Sequence, residues 1–178
     1  MTPKPRSSAL PSPVWGLDLS LTATGSVILA SSHSVVETWK PPNLRGPTRL
    51  AWFREKVEDV LQRFQPRLTV LEGYGFSAQH SRAHSLGELG GVVRLALHGA
   101  GAPFLVVTPS SLKKYVTGKG NAPKAIMIRE VYRRWAVELD DDNQADAYSL
   151  AQFGVDWLTK ETKTFAEMRK KVEVHGAA

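Results

Sequence analysis

The chain has 178 residues, 42% of them hydrophobic, and a formal charge of +6 from 23 Lys and Arg against 17 Asp and Glu. That is enough chain to bury one core, and the basic excess favours a polyanionic partner without requiring one. The absence of Cys excludes disulfides and thiol chemistry, and no apolar run approaches the roughly 20 residues that span a bilayer.

The first thirteen residues, MTPKPRSSALPSP, read as a disordered tail over 1–13. They lack the apolar core of a secretory signal, so a cytoplasmic protein with no membrane association is expected. VWGLDLSLTATGSVIL then opens as an apolar strand broken by Asp18, and SVILASSHSVVETWK offers two further β-rich runs about a Ser-rich turn. Together they predict an antiparallel meander. In TRLAWFREKVEDVLQRF, apolar residues at Leu50, Phe53, Val57, Val60, Leu61 and Phe64 have helical spacing, with Thr48 as the expected cap and Pro66 as the stop. RLTVLEGYGF returns to strand and ends on Glu72; HSLGELGGVVRLALHGAG reads as a helix with small residues on one face, suited to close packing. PFLVVTP is a short buried strand, APKAIMIREVYRRWAV a third helix, and DDDNQADAYSLAQFGVDWL an acidic cluster running into a last helix. The sequence therefore divides into a tail, one domain over 14–158 and a basic, frayed tail over 159–178. Strands in a run followed by alternating helices and strands imply an α/β fold, a mixed sheet with helices packed on it.

Asp18, Glu72 and Asp146 each lie where a strand ends or a helix begins. Three acids on three elements suggest one assembled metal site, because carboxylates suit hard ions such as magnesium or manganese, whereas zinc recruits His or Cys. The five His residues have no zinc spacing. Taken singly, Asp18 could open a turn and Glu72 could be a strand-end charge facing water. Asp140 and Asp141 read as helix caps, while Asp142 and Asn143 lie four and three residues before Asp146, on its helical face. A pair of magnesium ions about 3.5–4 Å apart is how many nucleases stabilise in-line attack on a phosphodiester.

GLDLSLTATG around Asp18, LEGYGF around Glu72, LGELGGVVRLAL, TPSSLKKYVTGKGNAPK and ADAYSLA around Asp146 together resemble the RuvC family of Holliday-junction resolvases, within the ribonuclease H-like fold. The resemblance spans about Val14 to Trp157. It implies that Asp18, Glu72 and Asp146 are metal ligands for a pair of Mg²⁺ ions, with Mn²⁺ substituting, and that Lys113 and Lys124 lie near the scissile phosphate. Lys114 and Lys119 read as general phosphate contacts, Lys119 because glycines flank it, or as a solvated face. Tyr74 and Phe76 match a region that presents an aromatic to unstacked bases; two core aromatics fit the pattern equally well. The family's fourth acid falls on Asn143 here, so Asp142, one residue earlier, is expected to supply that carboxylate. The resemblance further implies a homodimer that nicks a four-way DNA junction symmetrically, leaving 5′ phosphates, with no small-molecule cofactor. A flap, fork or ribosomal-RNA precursor nuclease of the same fold, or a junction-binding protein that never cuts, also fits. A sugar-kinase-like ATPase would need a second phosphate loop, an adenosine motif and a longer chain.

Overall fold

The structure, a computed structural model, describes residues 12–31, 33–73, 80–160, 166–167 and 169–176, and the side chains of all of these but residues 80–82 and 124. The meander forms as expected: β1 (Val14–Asp18) pairs antiparallel with β2 (Thr24–Leu29), and β2 with β3 (Ser34–Trp39). Helix α1 (Gly46–Phe64) leads to β4 (Leu68–Glu72), which lies parallel to β1, and α2 (His80–Gly99) leads to β5 (Phe104–Val107), parallel to β4. Three helices follow, α3 (Pro109–Thr117), α4 (Lys124–Trp135) and α5 (Asp142–Thr159), and a three-residue strand, β6 (Glu173–His175), closes the order β3-β2-β1-β4-β5-β6. No helix among the described residues is long and apolar enough to cross a membrane.

The central strands β1, β2, β4 and β5 are buried on both faces and are accordingly mostly apolar, whereas the outer β3 is only partly buried and β6 is exposed. On one face Trp15, Leu17, Ile28, Leu71, Phe104 and Val106 meet Phe53 and Val57 of α1 and Leu89, Val93 and Leu97 of α2. On the other, Val27, Leu68, Val70, Leu105 and Val107 meet Leu112 of α3, Met127 and Val131 of α4, and Leu150, Ala151 and Phe153 of α5. Successive strand residues point to opposite faces. Asp18 therefore follows Gly16, and Glu72 follows Val70, onto the α5 face.

Four expectations change. Thr48 does not cap α1: the helix starts two residues earlier, with Arg45 at the cap and no side-chain bond. Pro47 fills the first turn, where its missing N–H costs nothing. Helix α3 escapes a search for long periodic runs because it has only nine residues. Its ends are nevertheless marked: Thr108 accepts from the Ser111 amide at 3.3 Å, Pro109 follows, and Gly118 closes it at φ 81°. Three glycines of α2 do not serve close packing within the chain, since a Cβ added at Gly87, Gly91 or Gly99 meets no atom within 4 Å, whereas Gly90 is buried. Past Thr159 the chain returns to the sheet, where β6 pairs antiparallel with β5 and His175 stacks on Phe104 at 4.4 Å; so short a strand has no sequence pattern of its own.

Candidate active site

Asp18 and Glu72 end neighbouring parallel strands, β1 and β4, whose preceding residues Leu17 and Leu71 are in register. Helix α5 crosses the same face and carries Asp146 in its second turn, with Asp142 and Asn143 at its first and second positions. What lets α5 come so close is the lack of side chains beneath it. A Cβ on Gly16 would stand 2.0 Å from the Ala147 carbonyl oxygen and 2.5 Å from the Ala151 nitrogen, and one on Gly25 2.1 Å from the Asn143 carbonyl oxygen. From the helix side, a Cβ on Gly154 would stand 2.6 Å from Val14 Cγ1 and 2.8 Å from Val70 Cγ2. The strand glycines were not singled out in the sequence as site-forming; the local signal was Gly16 two residues before Asp18, on the same face of β1, whereas Gly25 shares that face because it pairs with Asp18 across the β1–β2 ladder.

The charges of these acids are coupled. Burial pushes the Glu72 carboxyl up to about 9 from its ordinary 4.5; the negative charges of Asp18 and then Asp146, with a hydrogen bond to Asp18, add to the rise, and the Lys113 ammonium opposes it. Like charges this close cannot all ionise without a countercharge, so at neutral pH Glu72 keeps a proton, which a carboxyl–carboxylate hydrogen bond to Asp18 requires. Among the described residues, no three acids or histidines are drawn together as tightly as ligands around an ion. Charge acts over longer distances than coordination does, so these acids act on one another electrostatically without enclosing an ion. The donor set is all oxygen, and Glu72 within it is pushed toward its protonated form. A hard divalent cation fits it, because such an ion would replace the proton that the cluster holds.

Of the residues expected at the site, Asp18, Glu72, Asp146 and Lys113 come together. Asp142 and Asn143 are partly buried at the start of α5, whereas Lys114 and Lys119 are exposed on and just after α3. Lys124 begins α4, but its side chain lies outside the described residues, as do Tyr74 and Phe76 entirely. The sequence also hides a set of contacts at the start of α5. Thr38 of β3 donates to Asp141 Oδ2 at 2.8 Å, the Gln144 amide N–H donates to Asp141 Oδ1 at 2.8 Å, and Gln144 Nε2 donates to Thr38 Oγ1 at 3.1 Å. Asp141 and Gln144 have capping-box spacing and could have been read; Thr38, more than a hundred residues away, could not.

A six-stranded mixed sheet with helices on both faces, and acids at the ends of two adjacent parallel strands under a third on a covering helix, define the ribonuclease H-like α/β class. Among solved structures, that of Thermus thermophilus RuvC superposes with a TM-score of 0.70 at 22% identity, covering 92% of this chain and 99% of that one. The same protein in complex with a Holliday junction substrate gives 0.72 at the same coverage. At this identity the likeness is one of fold. Residues 14–152 match the family model described as crossover junction endodeoxyribonuclease RuvC. The chain belongs to the RuvC family. Relatives described by that same name include one from Carboxydothermus hydrogenoformans, 31% identical over 79% of this chain and 94% of the relative. Another, from Rhodococcus opacus, is 32% identical over 78% of each. The match to the Pseudothermotoga lettingae protein is 33% identical and spans 63% of that relative's length.

Proposed function

We propose that this protein is a divalent-metal-dependent endonuclease that resolves four-way DNA junctions by paired symmetric nicks, acting as a homodimer. The observation that carries the reading is the convergence of Asp18, Glu72 and Asp146 at the ends of β1 and β4 and on α5, with Lys113 beside them. Asp18, Glu72 and Asp146 would hold magnesium, or manganese in its place, with Asp142 as the fourth carboxylate and Asn143 as a carbonyl donor beside it. Two such ions, when bound, supply a nucleophile at neutral pH and neutralise charge on the attacking and leaving oxygens. Glu72 gives up its proton to become a ligand. Lys113 offers its ammonium to the phosphate as negative charge grows on it, and Lys124 serves the same phosphate from the start of α4. Lys114 and Lys119 hold the flanking backbone, where a cation contact positions the strand without reading its sequence. Tyr74 and Phe76, just past Glu72, stack on unpaired bases at the branch, each stack contributing about 1–3 kcal/mol.

Two nicks require two sites, hence two copies. The open face of α2 suits their pairing: Gly87, Gly91 and Leu95 recur every four residues along one stripe, Leu95 is 70% exposed, and the glycines leave room for a close approach. The deciding experiment incubates the purified protein with a labelled four-way junction, a flap, a fork and linear duplex, each with magnesium, manganese or chelator. Paired symmetric nicks confined to the junction are expected. Cutting of every branched substrate would replace the reading with a general debranching nuclease, and tight binding without cuts would replace it with a structural junction binder.

A further inference from the structure

The start of α5 is fixed from outside the helix. Its cap, Asp141, uses both carboxylate oxygens: Oδ1 accepts from the Gln144 amide, as an N-cap does, and Oδ2 accepts from the Thr38 hydroxyl of β3. Gln144 is 93% buried and both its polar side-chain atoms are engaged, since its Oε1 accepts from the Asp140 backbone N–H at 3.0 Å and its Nε2 donates back to Thr38 Oγ1. Thr38 therefore both donates and accepts, closing a ring of hydrogen bonds between an outer strand and the helix end. The register explains why the ring falls there. Thr38 pairs with Gly25 across the β2–β3 ladder, and Gly25 is where the missing Cβ lets the Asn143 carbonyl settle on the sheet. The glycine admits the first turn of the helix, and the threonine beside it ties that turn down.

We infer that Thr38, acting through Asp141 and Gln144, is a positioning residue that sets the height of the first turn of α5 over the sheet and with it the placement of Asp142 and Asp146 opposite Asp18 and Glu72. The inference rests on the proposed metal-dependent nuclease. Asp142 directly follows the tethered cap, and Asp146 lies about 7.5 Å along the axis from it at 1.5 Å per residue, so a lift of the cap is carried into both. Ligand sets tolerate displacements of only about 0.5 Å, and losing a partner that orients a ligand typically weakens metal affinity or activity by about 10–100-fold. Thr38 is uncharged and its side chain bonds to Asp141 and Gln144, so its removal changes geometry without changing the charge of the site.

The test uses the full chain and manganese chloride alone. Thr38→Val keeps the β-branched shape and removes the hydroxyl; Thr38→Ser restores it. In the DNA-free protein the manganese concentration that gives half of the maximal rise in melting temperature should increase about 10-fold or more in T38V and return to the wild-type value in T38S. Junction affinity in chelator should be unchanged in both, and junction cleavage should track the manganese response. Asp141→Ser is the second variant, keeping a cap oxygen for the Gln144 amide while withdrawing the oxygen that Thr38 donates to; it should show the same loss even where T38V folds poorly. Equal manganese response and cleavage in wild type, T38V and D141S would overturn the positioning role alone. A wild-type protein that neither responds to manganese nor cuts would overturn the nuclease reading and the positioning role with it.

Discussion

Gly16→Ala adds one methyl at the tightest point between β1 and α5. The new carbon would lie 2.0 Å from the Ala147 carbonyl oxygen and 2.5 Å from the Ala151 nitrogen, and both are helix backbone, so no side-chain rotation relieves the clash. Restoring an ordinary carbon–oxygen approach of about 3.3 Å from 2.0 Å requires β1 and α5 to separate by about 1.3 Å. Overpacking of this kind costs about 1–3 kcal/mol, here near the upper end. The entropy that alanine removes from the unfolded chain returns about 0.4–1 kcal/mol, leaving a net loss of about 2 kcal/mol. For a chain of this size that lowers the melting temperature by about 4–8 °C. The same separation carries Asp146 away from Asp18, and a displacement of about 1 Å can cost roughly 100-fold in rate. Urea unfolding, and single-turnover junction cleavage well below the melting temperature, measure the two effects separately. G16A with stability within about 0.5 kcal/mol of wild type and undiminished cleavage would refute the account of how α5 is seated.

Three further outcomes are expected. Because the Glu72 carboxyl titrates near 9 in the folded protein against an ordinary 4.5, the native state holds a proton that the unfolded chain has released; the stability this gives is present at acid pH and is lost as pH rises through the folded value. In chelator, unfolding free energy should fall between pH 6 and 8 by up to about 1.4 kcal/mol per pH unit, and Glu72→Gln should flatten that slope; a slope identical in E72Q would remove Glu72 as its source. Asp18→Asn should abolish cleavage while leaving folding and junction binding in chelator intact, and retained cleavage would reject the assignment of Asp18 as a ligand. Leu95→Asp, on a side chain already 70% exposed, should convert the proposed dimer to a folded monomer in sedimentation without loss of circular dichroism, and an unchanged dimer would place the pairing face elsewhere.

Local periodicity made much of this protein readable. Alternating and continuous apolar runs located β1, β2, β3, β4 and β5, and the spacing of apolar residues located α1, α2, α4 and α5, because burial of a face is written into residues close together in the chain. Asp18 and Glu72 stood out for the same reason, as acids closing apolar strands, and the motifs around them carried the family resemblance. Short elements without a period of their own were less legible: α3 is defined by its caps, and β6 by an edge offered by β5. That Asp18, Glu72, Asp146 and Lys113 meet was an expectation from motifs; the register of β1 with β4 and the face chosen by α5 made it a geometry. The glycines that admit α5, the open glycine face of α2, and the hydroxyl of Thr38 that ties β3 to the start of α5 were decided only in the tertiary structure. Each depends on which atoms from distant parts of the chain come within a few ångströms of one another, and a sequence pattern records the partner of a residue only when that partner is its near neighbour.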